Sequence, residues 1–397
     1  MRLRFDILVR LMFCLAAMAA LQDAHAAVNA ADAVGERPLT LEQNQPLGGD
    51  SVRTDTVMHD GDYWKRQLRS GKLDLNDESI VYPSFLQMCV NIYRWGDRTF
   101  NSYDPDYVVG TGKRCKALVK NEEWMDSYAM RFPGKKSLSM ISNVSINFGA
   151  YVSYMALSVG YSGEVNRLFD GRGTGQRKLE FQFTCALLAA DGYWVKNTGG
   201  TNIKRFGDYN GGQWVNEAFP GLVRESYGAD IYYFFNHRKY SQGAAYSFSK
   251  LQKRSAGSMI AGLTISHQNV GLDFAKLPAG MEVELPDDRT VYRFKYNDYC
   301  FLLGYGYNWV FKPNWLFNIS VLPSIGYKHC FRDNIDGYDD IFSVNIKGKM
   351  GLVHNHKKFF YGMCLKFDGH WYKSSNYSFF NSVESMSLIV GYRFDIF

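Results

Sequence analysis

The chain has 397 residues and a formal charge of +6, from 45 Lys and Arg against 39 Asp and Glu; that balance is too mild for a nucleic-acid footprint and fits an ordinary solvated surface. Aromatic residues reach 16% and charged residues only 21%, yet mean hydropathy is -0.27, which favours many strands with one aromatic and one polar face over a set of packed helices. Beyond residue 26 no run of 18 or more apolar residues occurs, which excludes a transmembrane helix.

Residues 1–26 have the layout of a signal peptide: a basic start at Arg2, Arg4 and Arg10, an apolar core from Leu11 to Leu21, and the small-x-small site Ala24-His25-Ala26. Cys14 lacks the small residues that precede a lipoprotein cysteine, so no lipid anchor is expected. Residues 27–83 read as a polar periplasmic lead-in or plug segment, with a short helix around Trp64–Leu68. Residues 84–397 read as the barrel.

From Ser84 onward apolar and polar residues alternate, as they do along a half-buried strand. Leu86, Met88, Val90 and Ile92 give an expected first strand, followed by a long loop over 96–137. Further strands are expected over 143–152, 155–161 and 178–185, with a hairpin turn at Ala190-Asp191-Gly192 and a partner strand from Tyr193. After a second long loop come strands at 227–235 and 258–266. The last third is the clearest: Tyr299 to Phe311, Trp315 to Tyr327, Phe342 to Leu352 and Phe359 to Trp371 each present one apolar face, and Pro323 marks a bulge or weakened pairing. At the end, Leu388, Val390, Tyr392, Phe394 and Ile396 share one face. Gly391, Tyr392, Phe394, Ile396 and the terminal Phe397 resemble the C-terminal signal that the outer-membrane insertion machinery recognises.

The pattern predicts an all-β, antiparallel transmembrane barrel of about twelve strands, with short periplasmic turns and long extracellular loops, in a bacterial outer membrane. Strands of roughly 10–14 residues, tilted by ~45°, cross an apolar band of ~25 Å. Residues 237–255 should form a periplasmic turn and are too long for one.

Seven polar residues on the inward faces are candidates for the lumen or a ligand: Lys347, Lys349, Lys366, Asp368, His370, Arg393 and Asp395, together with Asp230, Lys178 and Glu180. Such charges either pair across the lumen and plug it or line a weakly anion-selective water path. A second candidate is the basic segment carrying His237, Arg238, Lys239, Lys250, Lys253 and Arg254; it would either line the lumen and bind an anion, or form a bend whose cations pair with lumen carboxylates.

Catalytic patterns are weak. Ser266 and His267 are strand neighbours and point to opposite faces, so they cannot act as nucleophile and base together. His354 and His356 lack a third metal ligand, and Gly110-Thr-Gly-Lys113 lacks the spacing of a phosphate-binding loop. No cofactor, metal or catalytic residue is assigned. Six cysteines remain beyond Cys14, without a Cys-x-x-Cys pair; they read as small apolar fillers, with a loop disulfide between Cys115 and Cys330 as the alternative.

Several strings carry a specific resemblance: Tyr-Asp-Pro-Asp-Tyr-Val-Val-Gly-Thr-Gly-Lys (103–113), Tyr-Tyr-Phe-Phe-Asn-His-Arg-Lys-Tyr-Ser (232–241), Gly-Ala-Ala-Tyr-Ser (243–247), Gln-Lys-Arg-Ser-Ala-Gly-Ser (252–258) and Leu-Asp-Phe-Ala-Lys-Leu-Pro (272–278). On these the chain resembles a Bacteroidota family catalogued as domain of unknown function 4421. The resemblance implies an outer-membrane barrel and supplies no catalytic residues. The expected function is a non-enzymatic pore or surface ligand-binding barrel; the alternatives are a lipid-modifying enzyme of the outer membrane and a structural or assembly component. Its expected partners are outer-membrane lipid and the insertion machinery, with no nucleic acid and an unspecified small-molecule ligand.

Overall fold

The computed structural model describes residues 63–69, 77–100, 102–113, 115–131, 137–154, 157–166, 176–198, 200–282, 290–331, 340–373 and 378–395. The expected signal peptide, most of the expected lead-in, and Ile396 and Phe397 lie outside these residues. Two helices come first, α1 (Tyr63–Arg69) and α2 (Ser84–Phe100). The strands in chain order are β1 (Val108–Gly110), β2 (Cys115–Arg131), β3 (Ser137–Ser142), β4 (Ser145–Tyr154), β5 (Leu157–Glu164), β6 (Gln176–Thr184), β7 (Leu188–Asn197), β8 (Thr201–Phe206), β9 (Glu217–Phe219), β10 (Leu222–Phe234), β11 (Lys250–Gln252), β12 (Ala256–Asp273), β13 (Val291–Lys312), β14 (Trp315–Cys330), β15 (Asp340–His356), β16 (Phe359–Lys373) and β17 (Ser378–Phe394).

Twelve of these strands close a ring. The order is β2-β4-β5-β6-β7-β10-β12-β13-β14-β15-β16-β17, and β17 returns to β2. That closing seam is fully zipped, from Ser378 opposite Arg131 to Phe394 opposite Cys115. Ring closure removes the outer edges of the sheet, which is what lets it cross a membrane; the shortest ladder of the ring, β5–β6, holds two residue pairs.

Strand β13 displays the design in one element. Tyr299, Phe301, Leu303, Tyr305, Tyr307, Trp309 and Phe311 are all exposed on its outer face, while Asp298, Cys300, Leu302 and Asn308 are buried inside. Toward the other end of the strand the pattern inverts: Arg293 points outward, and Tyr292, Phe294 and Tyr296 are buried. The outer face is therefore apolar where it meets lipid and polar where it meets water, and the wall beyond the belt has the apolar interior of a soluble barrel.

Both ends of the ring, near Cys115 and Phe394, lie with Tyr154 and Leu157 and with the short connections at 185–187, 313–314 and 357–358. At the opposite end β3, β8 and β9 extend the sheet beyond β2.

Several expectations fail at single elements. Residues 84–92 are helical. Their apolar residues fit both periods, but Leu, Met and Gln are helix formers, and Val90 and partly buried Leu86 pack on Ile80 and Tyr82 at helical spacing. The first barrel strand is β2, inside what the sequence reads as a loop. Ala190-Asp191-Gly192 lies within β7, and the turn is at 185–187. Asp191 instead points inward and meets Lys349 at 2.9 Å, so a buried ion pair overrides a turn signal. At Pro323 the weakened pairing expected is present, since the β13–β14 ladder is interrupted there without a shift; the bulge falls elsewhere, between Trp309 and Lys312. Cys115 and Cys330 sit at opposite ends of the barrel, which excludes a disulfide between them.

Candidate functional site

The lumen is filled in three layers. At the loop end, Phe294 of β13 stacks on Phe379 of β17 at 4.8 Å. These strands are not neighbours, so the pair spans the interior. Val270, Leu272, Met130, Leu138, Ile203 and Phe219 join the same buried cluster and close that end with apolar side chains.

The middle layer is ionic, and its bridges cross between distant strands. Arg224 of β10 pairs with Asp126 of β2, both essentially inaccessible to water. Lys347 of β15 bonds Asp230 of β10 at 3.0 Å and Asp368 of β16 at 2.8 Å. His370 lies 3.2 Å from Asp368. Lys349 meets Asp191 of β7 and lies 4.8 Å above the Tyr232 ring. Lys366 reaches Glu180 of β6 at 3.4 Å. Glu180 also takes Lys120 at 2.9 Å and Lys178 at 2.8 Å, and Glu122 pairs with both of those lysines. The expectation that inward charges pair and plug fits this layer better than an open water path. Asp395 is the exception: it lies outside the lumen, partly exposed, and pairs with Lys113 at 2.7 Å.

At the turn end the long 235–255 connection folds back into the barrel. Residues Tyr240 to Phe248 are all buried, and Gly243–Ser247 form one π-helical turn. The sequence of this stretch explains its path: small residues (Gly243, Ala244, Ala245) let the backbone enter, and Tyr240, Tyr246 and Phe248 fill the space around it. Tyr246 donates to Asn318 Oδ1 at 2.5 Å, and Asn318 donates to the Tyr240 hydroxyl at 3.1 Å. Two cations hold the backbone itself: Lys116 donates to the Ser247 carbonyl, and the Arg393 guanidinium donates to the Phe248 carbonyl at 3.1 and 3.2 Å and to Asn355 at 2.7 Å.

The basic residues of this segment behave differently from either expectation. Arg238, Lys239, Lys253 and Arg254 stay exposed at the turn end, while His237 and Lys250 are half-buried. Three of them pack on aromatic rings of the segment before β2, Lys239 and Arg254 over Tyr107 and Lys250 over Tyr103, and Lys253 donates to the Pro105 carbonyl at 3.2 Å. A short ribbon of β1 with β11 ties the two segments together. Partial burial beneath this layer pushes the Tyr103 hydroxyl up to about 12.

Of the residues expected to form a C-terminal insertion signal, Gly391 packs in the same layer. Gly391 faces inward, where an added Cβ would fall 2.0 Å from the Phe360 ring. Phe360 in turn stacks on Phe248 of the plug and carries Arg393 at 4.5 Å. Gly391→Ala is expected to cost ~1–3 kcal/mol by overpacking, measured as a lower urea midpoint in lipid vesicles. Tyr392 and Phe394 point outward, Tyr392 against Phe359.

Ser266 is buried inward while His267 stacks on Tyr227 outside at 4.9 Å, as their adjacency requires. His354 packs against Trp315, and among the described residues no cluster of three metal-binding side chains occurs. Sequence reasoning missed Lys116, Lys120, Glu122, Asp126, Arg224 and Lys328. The first four lie on the unrecognised β2.

Comparison with known proteins places the chain in a family. It belongs to the domain of unknown function family DUF4421, whose model matches residues 102–394. No curated sequence matches it significantly. Solved structures with similar form include the outer membrane protease OmpT from Escherichia coli, at 9% identity and a TM-score of 0.31, covering 74% of this chain and 98% of that one. The P. putida toluene transporter TodX has 7% identity and a TM-score of 0.26, covering 72% and 91%. The NanC porin has 6% identity and a TM-score of 0.21, covering 68% and 100%. At these scores the likeness carries nothing about chemistry or cargo. The closed strand ring itself defines the chain as a β-barrel of outer-membrane type.

Proposed function

We propose that the protein is a non-enzymatic barrel of the bacterial outer membrane whose lumen is closed at rest, and that it works by binding rather than by free diffusion through a pore. The observation that supports this most is the plug. Residues 240–248 occupy the turn end of the lumen and are held by Lys116 and Arg393 through their backbone carbonyls. The cross-lumen ion pairs and the apolar cluster at the loop end stand in series with it. In this reading outer-membrane lipid surrounds the belt, and the insertion machinery engages the strand ending at Phe394. The turn end, with the shorter connections, faces the periplasm.

The test is reconstitution of the full chain in a planar bilayer. The expected result is a folded, heat-modifiable barrel that gives no discrete conductance steps. Regular steps from the unmodified protein would overturn the reading.

A further inference from the structure

One seam of the ring is not zipped. β4 and β5 pair along their whole shared length, and so do β6 and β7. Between β5 and β6 the ladder holds only Leu157 opposite Phe183 and Ser158 opposite Gln182, next to the turns. Past those two pairs, residues 159–164 and 176–181 run without partners in each other. Along each strand every second residue turns its N–H and C=O toward the seam. Where Tyr161, Leu179 and Phe181 face outward, these groups lie at the height of the apolar belt, where hydrocarbon offers no hydrogen bond.

The wall beside the seam is thin and polar within. Ser158, Gly160 and Ser162 are the inward residues of β5 there, and the Tyr151 ring lies against Gly160. A cavity of about 210 Å³ reaches this point, with Ser158, Tyr151, Lys178, Glu180 and Phe181 among its lining residues. Behind it, three ammonium groups (Lys120, Lys178 and Lys366) share two carboxylates (Glu122 and Glu180). Lys366 has the weakest hold, a single carboxylate contact at 3.4 Å with 37% of its side chain accessible. On the outer side Tyr161, Leu179 and Phe181 are exposed along both strands.

We infer that the β5–β6 seam is a lateral binding site for an anionic amphiphile: a phosphate or carboxylate headgroup enters to Lys120, Lys178 and Lys366, and the hydrocarbon chain stays along Tyr161, Leu179 and Phe181. The headgroup supplies a third anion to the three lysines, and its oxygens offer acceptors to N–H groups that the short ladder does not pair between β5 and β6. The inference rests on the closed-lumen reading, since it gives a ligand a way in that bypasses both axial seals.

The test uses the full chain in dodecylmaltoside micelles, titrated with lysophosphatidylglycerol and separately with glycerol phosphate, and read by native mass spectrometry and calorimetry. Lysophosphatidylglycerol should bind, and glycerol phosphate should bind at least about tenfold more weakly. Lys366→Gln should weaken lysophosphatidylglycerol by about tenfold or more. Tyr161→Cys with Leu179→Cys places two thiols opposite each other in the register continued from Leu157 and Phe183; oxidation should abolish binding, and reduction of the same sample should restore it. Equal binding of both probes, binding unaffected by oxidation or by Lys366→Gln, or no binding of either probe would each overturn the site. None of these outcomes bears on the conductance test, so the two readings fail separately.

Discussion

Asp298→Ala is expected to lower the stability of the barrel by ~3–5 kcal/mol, measured by chemical unfolding in lipid vesicles with gel mobility as a second probe. Asp298 is wholly buried and is the acceptor for four donors: Lys328 at 2.9 Å, Asn345 at 3.1 Å, Ser343 at 3.1 Å and the Cys300 thiol at 3.0 Å. Removing it takes the carboxylate away from the Lys328 ammonium, whose side chain is 1% accessible and rests over the Tyr296 ring at 4.5 Å. An uncompensated charge in that setting costs far more than the pair contributes. The paired change Asp298→Ala with Lys328→Met should therefore recover a large part of the loss, because it removes the orphaned charge with its partner. A single variant as stable as the parent would mean that this carboxylate is not what organises the β13–β14–β15 wall. A double variant no better than the single would place the cost in the Ser343 and Asn345 bonds instead.

How far the sequence exposes this architecture depends on what each face meets. Where one face meets lipid and the other a polar lumen, alternation is strong, and β13 to β17 are legible almost to the residue. β2 is not, because it carries polar residues on both sides. Lys116, Lys120, Glu122 and Asp126 point into the lumen, and Asn121 and Glu123 share the outer side with Val119. No hydrophobic period survives that arrangement, so the strand reads as loop. A helix read as strand and a strand read as loop then cancel, and the count of twelve comes out right while the first barrel strand is misplaced.

The lumen is legible in kind but not in pairing. Inward charges can be named from the alternation, yet nothing local says that Lys349 meets Asp191 or that Lys366 meets Glu180, residues 158 and 186 positions apart. Those partners are fixed by the stagger of the closed sheet, which is a property of the whole ring. The plug left a clearer trace. A connection too long for a turn was visible at 237–255, and its Gly-Ala-Ala-Tyr core differs from the charged ends that frame it. The charges drew the functional reading, while the uncharged middle is the part that enters the barrel.

Replacing residues 237–257 by Asn-Gly should make Cys364 fully reactive toward a water-soluble maleimide, whereas the parent chain should leave it unlabelled. Asn236 and Ser258 face each other at the mouth of the connection, the Asn236 amide donating to Ser258 Oγ at 2.9 Å, so a two-residue hairpin fits between them. Cys364 is buried in the lumen beneath the plug, in one cluster with Ala244, Ala245, Tyr246 and Phe248. With those residues gone it faces an open vestibule at the turn end, and mass mapping of the labelled peptide distinguishes it from Cys300 and Cys330 higher in the barrel. The same deletion should not produce a conducting channel, because the Phe294–Phe379 stack and its apolar neighbours still close the loop end. Labelling without conductance is the signature of two seals in series. Unlabelled Cys364 in a folded deletion variant would mean that the fold-back is not what covers the turn end. Conductance from the deletion alone would mean that the apolar cluster opens freely, leaving the plug as the barrier that matters.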